Sequence, residues 1–179
     1  MNLKAFHTTF RFIYKILVRY NITMEKVNIG LDDNSITESA KILNSILADE
    51  YVLYTKVRNF HWNVKGPHFN DLHKFFEELY EELNGAIDEI AEKVRMLGCK
   101  ALGSLDEMLS NASLKESKDE LDSNAMITEL LNDYETLIKK IREDIEKIDD
   151  LDNVGVEDFL TGLLQDHEKR AWMLRSMMN

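Results

Sequence analysis

Proline occurs once in this sequence, at Pro67, and glycine only seven times in 179 residues. Proline removes an amide donor and glycine loosens the backbone, so a chain poor in both favours long uninterrupted helices over strands and tight turns. Apolar residues repeat at helical spacing in four long stretches. The expected fold class is all-α.

Ser35-Ile36-Thr37-Glu38 has the form of a capping box, followed by Ile36, Ala40, Leu43, Leu47, Tyr54 and Val57 at helical spacing. This first helix is expected to run from Ser35 to about Trp62 and to stop before Gly66-Pro67. A second helix, from an Asn70 N-cap to near Gly98, carries the stripe Leu72, Phe76, Leu79, Leu83, Ile87, Ile90, Val94 and Leu97. The stretch from Cys99 to Ser123 is too long for a tight connection between antiparallel neighbours. It suits a crossover running the length of a four-helix bundle, with a short helix at Leu105–Leu109. The third helix is expected at about 124–148, with Ile127, Leu130, Leu131, Tyr134, Leu137, Ile138, Ile141, Ile145 and Ile148. The fourth, at about 154–178, buries Phe159, Leu163, Leu164, Ala171, Leu174 and Met177.

The length fits one domain, residues 35–179, behind an extension of residues 1–34. Residues 1–23 stand apart, with Lys4, Arg11, Lys15 and Arg19 and no acid. The remaining 18 Lys and Arg face 33 Asp and Glu, so the body carries −15 against +4 for this segment. Three readings stay open: a basic amphipathic arm that touches DNA or a membrane surface, a packed extra helix, or residues outside a native chain that starts at Met24. An acidic body argues against electrostatic nucleic-acid binding outside the arm and suits a protein that handles cations. A lone cysteine, Cys99, makes no internal disulfide and fits a reducing, cytoplasmic setting. No basic cluster surrounds it to lower its pKa, so it reads as a semi-buried thiol and not a nucleophile. No apolar run approaches the ~18 residues of a spanning helix.

Between Phe60 and Glu92 lie His61, His73, Glu77, Asp88 and Glu92, a donor set suited to iron or another first-row divalent metal. Taken singly, each such residue is more often structural or a solvated face. His73 and Glu77 are four apart, as are Asp88 and Glu92, so each pair shares a helix face. His73 and Asp88, however, are separated by fifteen residues, roughly 22 Å at about 1.5 Å per residue. One straight helix cannot bring both to one ion. Di-iron bundles with sites inside the subunit use Glu-x-x-His on two helices, but Asn70 and Leu164 stand three before His73 and His167. If two copies of the second helix pack antiparallel about a two-fold axis near Tyr80 and Glu81, His61 and His73 of one chain meet Asp88 and Glu92 of the other. His7, His68 and His167 read as ordinary.

His61-Trp62-Asn63, Gly66, His73 twelve residues after His61, and Ile87-Asp88-Glu89-Ile90-Ala91-Glu92 ending at Leu97-Gly98 closely resemble the Dps mini-ferritins, the DNA-binding proteins from starved cells. The resemblance covers about residue 35 to the C-terminus. It implies a ferritin-like four-helix bundle in a hollow dodecamer, with ferroxidase sites at two-fold interfaces. Such proteins oxidise Fe(II), commonly with hydrogen peroxide, and store ferric mineral. His61 and His73 match the family's histidine ligands, and Asp88 and Glu92 the carboxylates from the neighbouring subunit. Glu77 stands where many members have Asp, one methylene shorter. Trp62 and Trp172 resemble aromatic residues near that site, with bulky core packing as the alternative. Asp158, with Asp149, Asp150, Asp152 and Glu157, resembles the lining of three-fold entry pores; a solvated helix end is the other reading. Dioxygen remains open as oxidant, and DNA compaction through the basic arm as a rival function.

Overall fold

The computed structural model describes residues 26–178 and places five helices there: α1 Asp33–Asn63, α2 Phe69–Met96, α3 Leu105–Asn111, α4 Ser123–Asp149 and α5 Val154–Ser176. The basic segment 1–23, with His7 and Met24, lies outside the described residues. Among those described there is no strand, as expected of an all-α chain.

Cross-bundle pairs define the topology. Tyr54 meets Tyr80 while His61 meets His73, so α2 runs antiparallel to α1. Asp49 meets Lys140 and Lys56 meets Asp133, so α4 is also antiparallel to α1. Ser39 meets Asn153 and Glu50 meets His167, so α5 is parallel to it. Helices α2 and α4 therefore point the same way, and the connection between them must climb back along the bundle. It does so against α1. The Asn44 side chain accepts from Leu102 N at 3.0 Å, Asp49 accepts from Ser113 N at 2.6 Å and Leu114 N at 2.8 Å, and Asn59 donates to the Ser117 carbonyl at 3.4 Å.

The core follows the expected stripes. Leu43, Leu47, Val57, Phe76, Leu79, Ile90, Leu130, Leu137, Ile141, Leu160 and Leu174 are all but inaccessible. Tyr54, Ile87, Ile138, Ile145 and Phe159 sit only half-buried against it. Met177 is 38% exposed, because α5 ends at Ser176 and leaves it beyond the last turn.

Helix ends differ from the expected caps in two places. The box at Ser35 does not form; Asp32 caps α1 by accepting from Ser35 N at 2.7 Å, which moves the start two residues upstream. A carboxylate at Asp32 reaches the end amides first, and the hydrogen bond holds its pKa low. Asn70 is likewise inside α2, with His68 at the N-cap and no side-chain cap. A capping box does form on α3, between Ser104 and Glu107. Amides of Gly103 and Ser104 and the Lys100 ammonium hold the Glu107 carboxyl at about 2. Gly98 closes α2 at φ 74°, with Gly98 N bonded to Arg95 O and Cys99 N to Val94 O, a left-handed cap that glycine adopts without strain. Cys99 is buried, and burial pushes its thiol pKa up, in keeping with an inert thiol.

Asp49 is the main tether of the crossover. Fully buried, it accepts from Ser113 N and Oγ and Leu114 N and pairs with Lys140 at 2.5 Å. Asp49→Ala removes the carboxylate partner of Lys140, which keeps only its bonds to Ser45, and strands two amides, and the expected loss is about 3 kcal/mol. Urea unfolding reads the loss, and hydrogen exchange should show Ser113 and Leu114 deprotected first. Unchanged stability would mean that the tether is redundant.

Candidate metal centre

The α1–α2 turn brings the two candidate histidines together. Gly66 takes φ 113°, a backbone region that side-chain-bearing residues rarely enter, and its carbonyl accepts from Phe69 N at 3.1 Å to start α2. His61 in the last turn of α1 then lies over His73 in the first turns of α2. Their rings stack with centroids 3.8 Å apart and 19° between planes.

Two hydrogen bonds lock the pair. His61 Nδ1 lies 2.8 Å from the His73 carbonyl, and His73 Nδ1 lies 2.8 Å from the His61 carbonyl. A carbonyl only accepts, so each Nδ1 carries the proton and donates. In the neutral ring the lone pair is then at Nε2, the atom a first-row metal would take. Aromatic neighbours hold the planes: Phe69 stacks on His73 at 5.1 Å, and Tyr80 meets His61 edge-on at 5.2 Å.

Glu77, one helical turn after His73, is half-buried and accepts from the Tyr80 hydroxyl at 3.4 Å. Partial burial, and then the Glu77 carboxylate, push the Tyr80 phenol pKa up, so it remains a donor at neutral pH. The Arg58 guanidinium lies over the rings of Trp62, Tyr80 and Tyr54 at 5.0, 5.3 and 5.5 Å, and donates to the Tyr54 hydroxyl at 2.6 Å. Trp62 is 65% exposed and Trp172 61%, so neither is a core residue in the single chain.

Asp88 and Glu92 are exposed on the same continuous α2. They lie away from the histidines, and among the described residues no three imidazole, carboxylate or thiol groups converge on one point. A single chain thus assembles two histidines with Glu77 nearby, and leaves the Asp88–Glu92 pair by itself. His68 is exposed in the turn. His167, read from sequence as ordinary, is buried with Nε2 2.6 Å from Glu50 Oε1. Asp158 is exposed and borders a cleft between α2 and α5.

The ferritin-like domain family model matches residues 40–179. DNA protection during starvation protein 2 of Bacillus anthracis is 39% identical over 139 residues, 78% of this chain and 95% of that protein. The chain belongs to the Dps family of ferritin-like proteins. An uncharacterized low temperature-induced protein of Nostoc sp. is 43% identical over 157 residues, 87% of this chain and 88% of its own length. The Dps protein of Vibrio cholerae O1, described as a member of a broad superfamily of ferritin-like diiron-carboxylate proteins, superposes with a TM-score of 0.83 at 31% identity, covering 87% of this chain and 98% of that one. Dps membership explains the up, down, down, up helix order and its long crossover. Sequence reasoning missed Phe69, Tyr80 and Arg58 as supports of the histidine pair. Spacing offered one signal for them, since Phe69 and Tyr80 fall four before and seven after His73 on a helix.

The lock makes a direct prediction. Nitrogen-15 spectra of the protein without added metal, with labelled histidine, should assign His61 and His73 at pH 7.5 as Nδ1–H tautomers with bare Nε2. A proton on Nε2 together with a bare Nδ1 in either ring would show that the carbonyl bonds do not set the tautomer.

Proposed function

We propose that this protein is an iron-storage and detoxification subunit that oxidises Fe(II) at sites shared between subunits, and holds the ferric product inside a hollow homo-oligomer, a dodecamer. The observation that supports this best is the locked histidine pair, with two Nε2 lone pairs, and with Asp88 and Glu92 of the same chain held well away along α2. In this reading His61 and His73 bind Fe(II) from one subunit, while Asp88 and Glu92 of the neighbour complete the site. Glu77 contributes to a second iron position, where its extra methylene and its bond to Tyr80 set its reach. Exposed Trp62 and Phe69 beside the histidines, at 65% and 46%, are covered by the neighbour. Both tryptophans then stand where oxidising equivalents would be intercepted. The acidic turn around Asp158 draws Fe(II) toward entry pores.

The electron count favours a pair of irons. Hydrogen peroxide takes one electron from each of two Fe(II) ions and two protons, yielding two waters and no hydroxyl radical. The carboxylates offset the charge each iron gains. Dioxygen is the alternative oxidant. A cytoplasmic location fits this chemistry; no described helix is long and apolar enough to cross a membrane.

Anaerobic loading with Fe(II) followed by peroxide, read by ferric absorbance, tests the reading. His61→Ala/His73→Ala is expected to slow oxidation by at least about 100-fold, and Asp88→Asn/Glu92→Gln to do likewise. Co-assembly of these two inactive variants should restore about a quarter of the sites, since each mixed two-fold interface keeps one complete set. Wild-type rates in the histidine variant would overturn the site, and failure to complement would overturn its sharing between subunits.

A second reading draws on the charge asymmetry between residues 1–23 and the rest, and on relatives named for DNA protection. The arm would bind DNA with an affinity that falls steeply with salt. A gel shift at low salt should show retention that is lost on removing residues 1–23; no retention by the full chain would dispose of this role.

A further inference from the structure

Arg58 on α1 is a half-buried cation with no carboxylate partner among the described residues. Its guanidinium lies over the rings of Trp62, Tyr80 and Tyr54, and Nη1 donates to the Tyr54 hydroxyl. A guanidinium carries several donors, yet this is its one hydrogen bond among the described residues, and Nε is buried with no partner. Lys56, Lys140 and Arg170, by contrast, each pair with a carboxylate.

The opposite deficit lies on α2. Glu81 is exposed and forms no ion pair or hydrogen bond among the described residues. It stands one turn after Glu77, on the helix face that also carries His73 and Asp88. Packing that face antiparallel on its own copy brings Glu77, Glu81 and Asp88 of both chains to one seam, and like charges oppose association. Lys74 stands toward the start of the helix, exposed and hydrated. The register that sets His73 against Asp88 also sets Tyr80 against Glu81. Glu81 of one copy then arrives beside the ring over which Arg58 of the other lies at 5.3 Å. Within one chain Arg58 and Glu81 do not pair, although the charge of each reaches the Tyr80 phenol.

We propose that Arg58 of each copy pairs with Glu81 of the other, so that two equivalent ion pairs straddle the two-fold axis and hold two chains together between the shared sites. The inference rests on the antiparallel α2 packing of the shared-site reading and adds the residues that make this packing favourable. An isologous interface makes every contact twice. The rings of Tyr54, Tyr80 and Trp62 keep water from the guanidinium, and a charge-assisted contact to its planar fork is stronger there than on an open surface.

Sedimentation over a concentration series in sub-denaturing urea reads the association. Arg58→Glu and Glu81→Arg each set like charges face to face twice across the axis, and each variant alone is expected to dissociate at a concentration at least about 10-fold above wild type. Mixed in equal amounts, the two should assemble as tightly as wild type, because every mixed pair regains two contacts of opposite charge; native mass spectrometry identifies the mixed pair by its mass. Wild-type association of either variant alone overturns the proposal. Failure of the mixture to recover also overturns it, since a second chain cannot repair a contact made within the first. Should Arg58→Glu fail to fold, Glu81→Arg, a change at an exposed position, decides by itself: undiminished association overturns the pair. Complementation between the histidine and carboxylate variants alongside a negative result here would sink the ion pair and keep the shared site, whereas failure of both would sink the two-fold packing.

Discussion

Two hydrogen bonds between the end of α1 and the start of α2 fix the geometry of the histidine pair. Each histidine gives its Nδ1 proton to the other's backbone carbonyl, so side-chain orientation and helix approach are set by the same pair of bonds. Both Nε2 atoms are therefore oriented in the chain alone, and at the proposed site little rotamer freedom would remain to be lost on metal binding. Gly66 makes this possible, since the turn between the helices needs a positive φ there.

The rigidity of α2 imposes the other constraint. A helix of 28 residues holds His73 and Asp88 at a fixed separation, so one helix cannot bring both to a single point. In the proposed assembly this makes each chain incomplete alone, and chemistry and association become one requirement. The exposed rings at the α1–α2 end, Trp62 and Phe69, belong to the same surface as the histidines.

Charge is handled differently inside the bundle. Asp49 and Lys56 are buried with oppositely charged partners, Lys56 reaching Asp133 at 2.6 Å and Glu129 at 2.9 Å, and these pairs tie α1 to α4. Glu50, next to Asp49, has a histidine on one oxygen and, among the described residues, no hydrogen-bond partner on the other. Neighbouring carboxylates on one helix thus differ: both oxygens of Asp49 have partners, and among the described residues only one oxygen of Glu50 does.

The helices were legible because burial of one face imposes a 3.6-residue period on the sequence, and the stripes of α1, α2, α4 and α5 carry that period. Chemistry and spacing singled out the candidate metal residues, and the fixed helical rise was enough to keep His73 and Asp88 of one chain apart. Helix starts were less legible, because Asp32, Asp33, Asn34 and Ser35 can all cap and only the local chain path selects Asp32. Tertiary structure alone decided the stacking of His61 on His73, the carbonyl lock, and the ring contacts of Arg58 and Tyr80. It also decided that His167 meets Glu50 across 117 positions of sequence. Periodicity reports which face a residue occupies; it says nothing about which residue on another helix stands opposite, and that depends on how the helices pack.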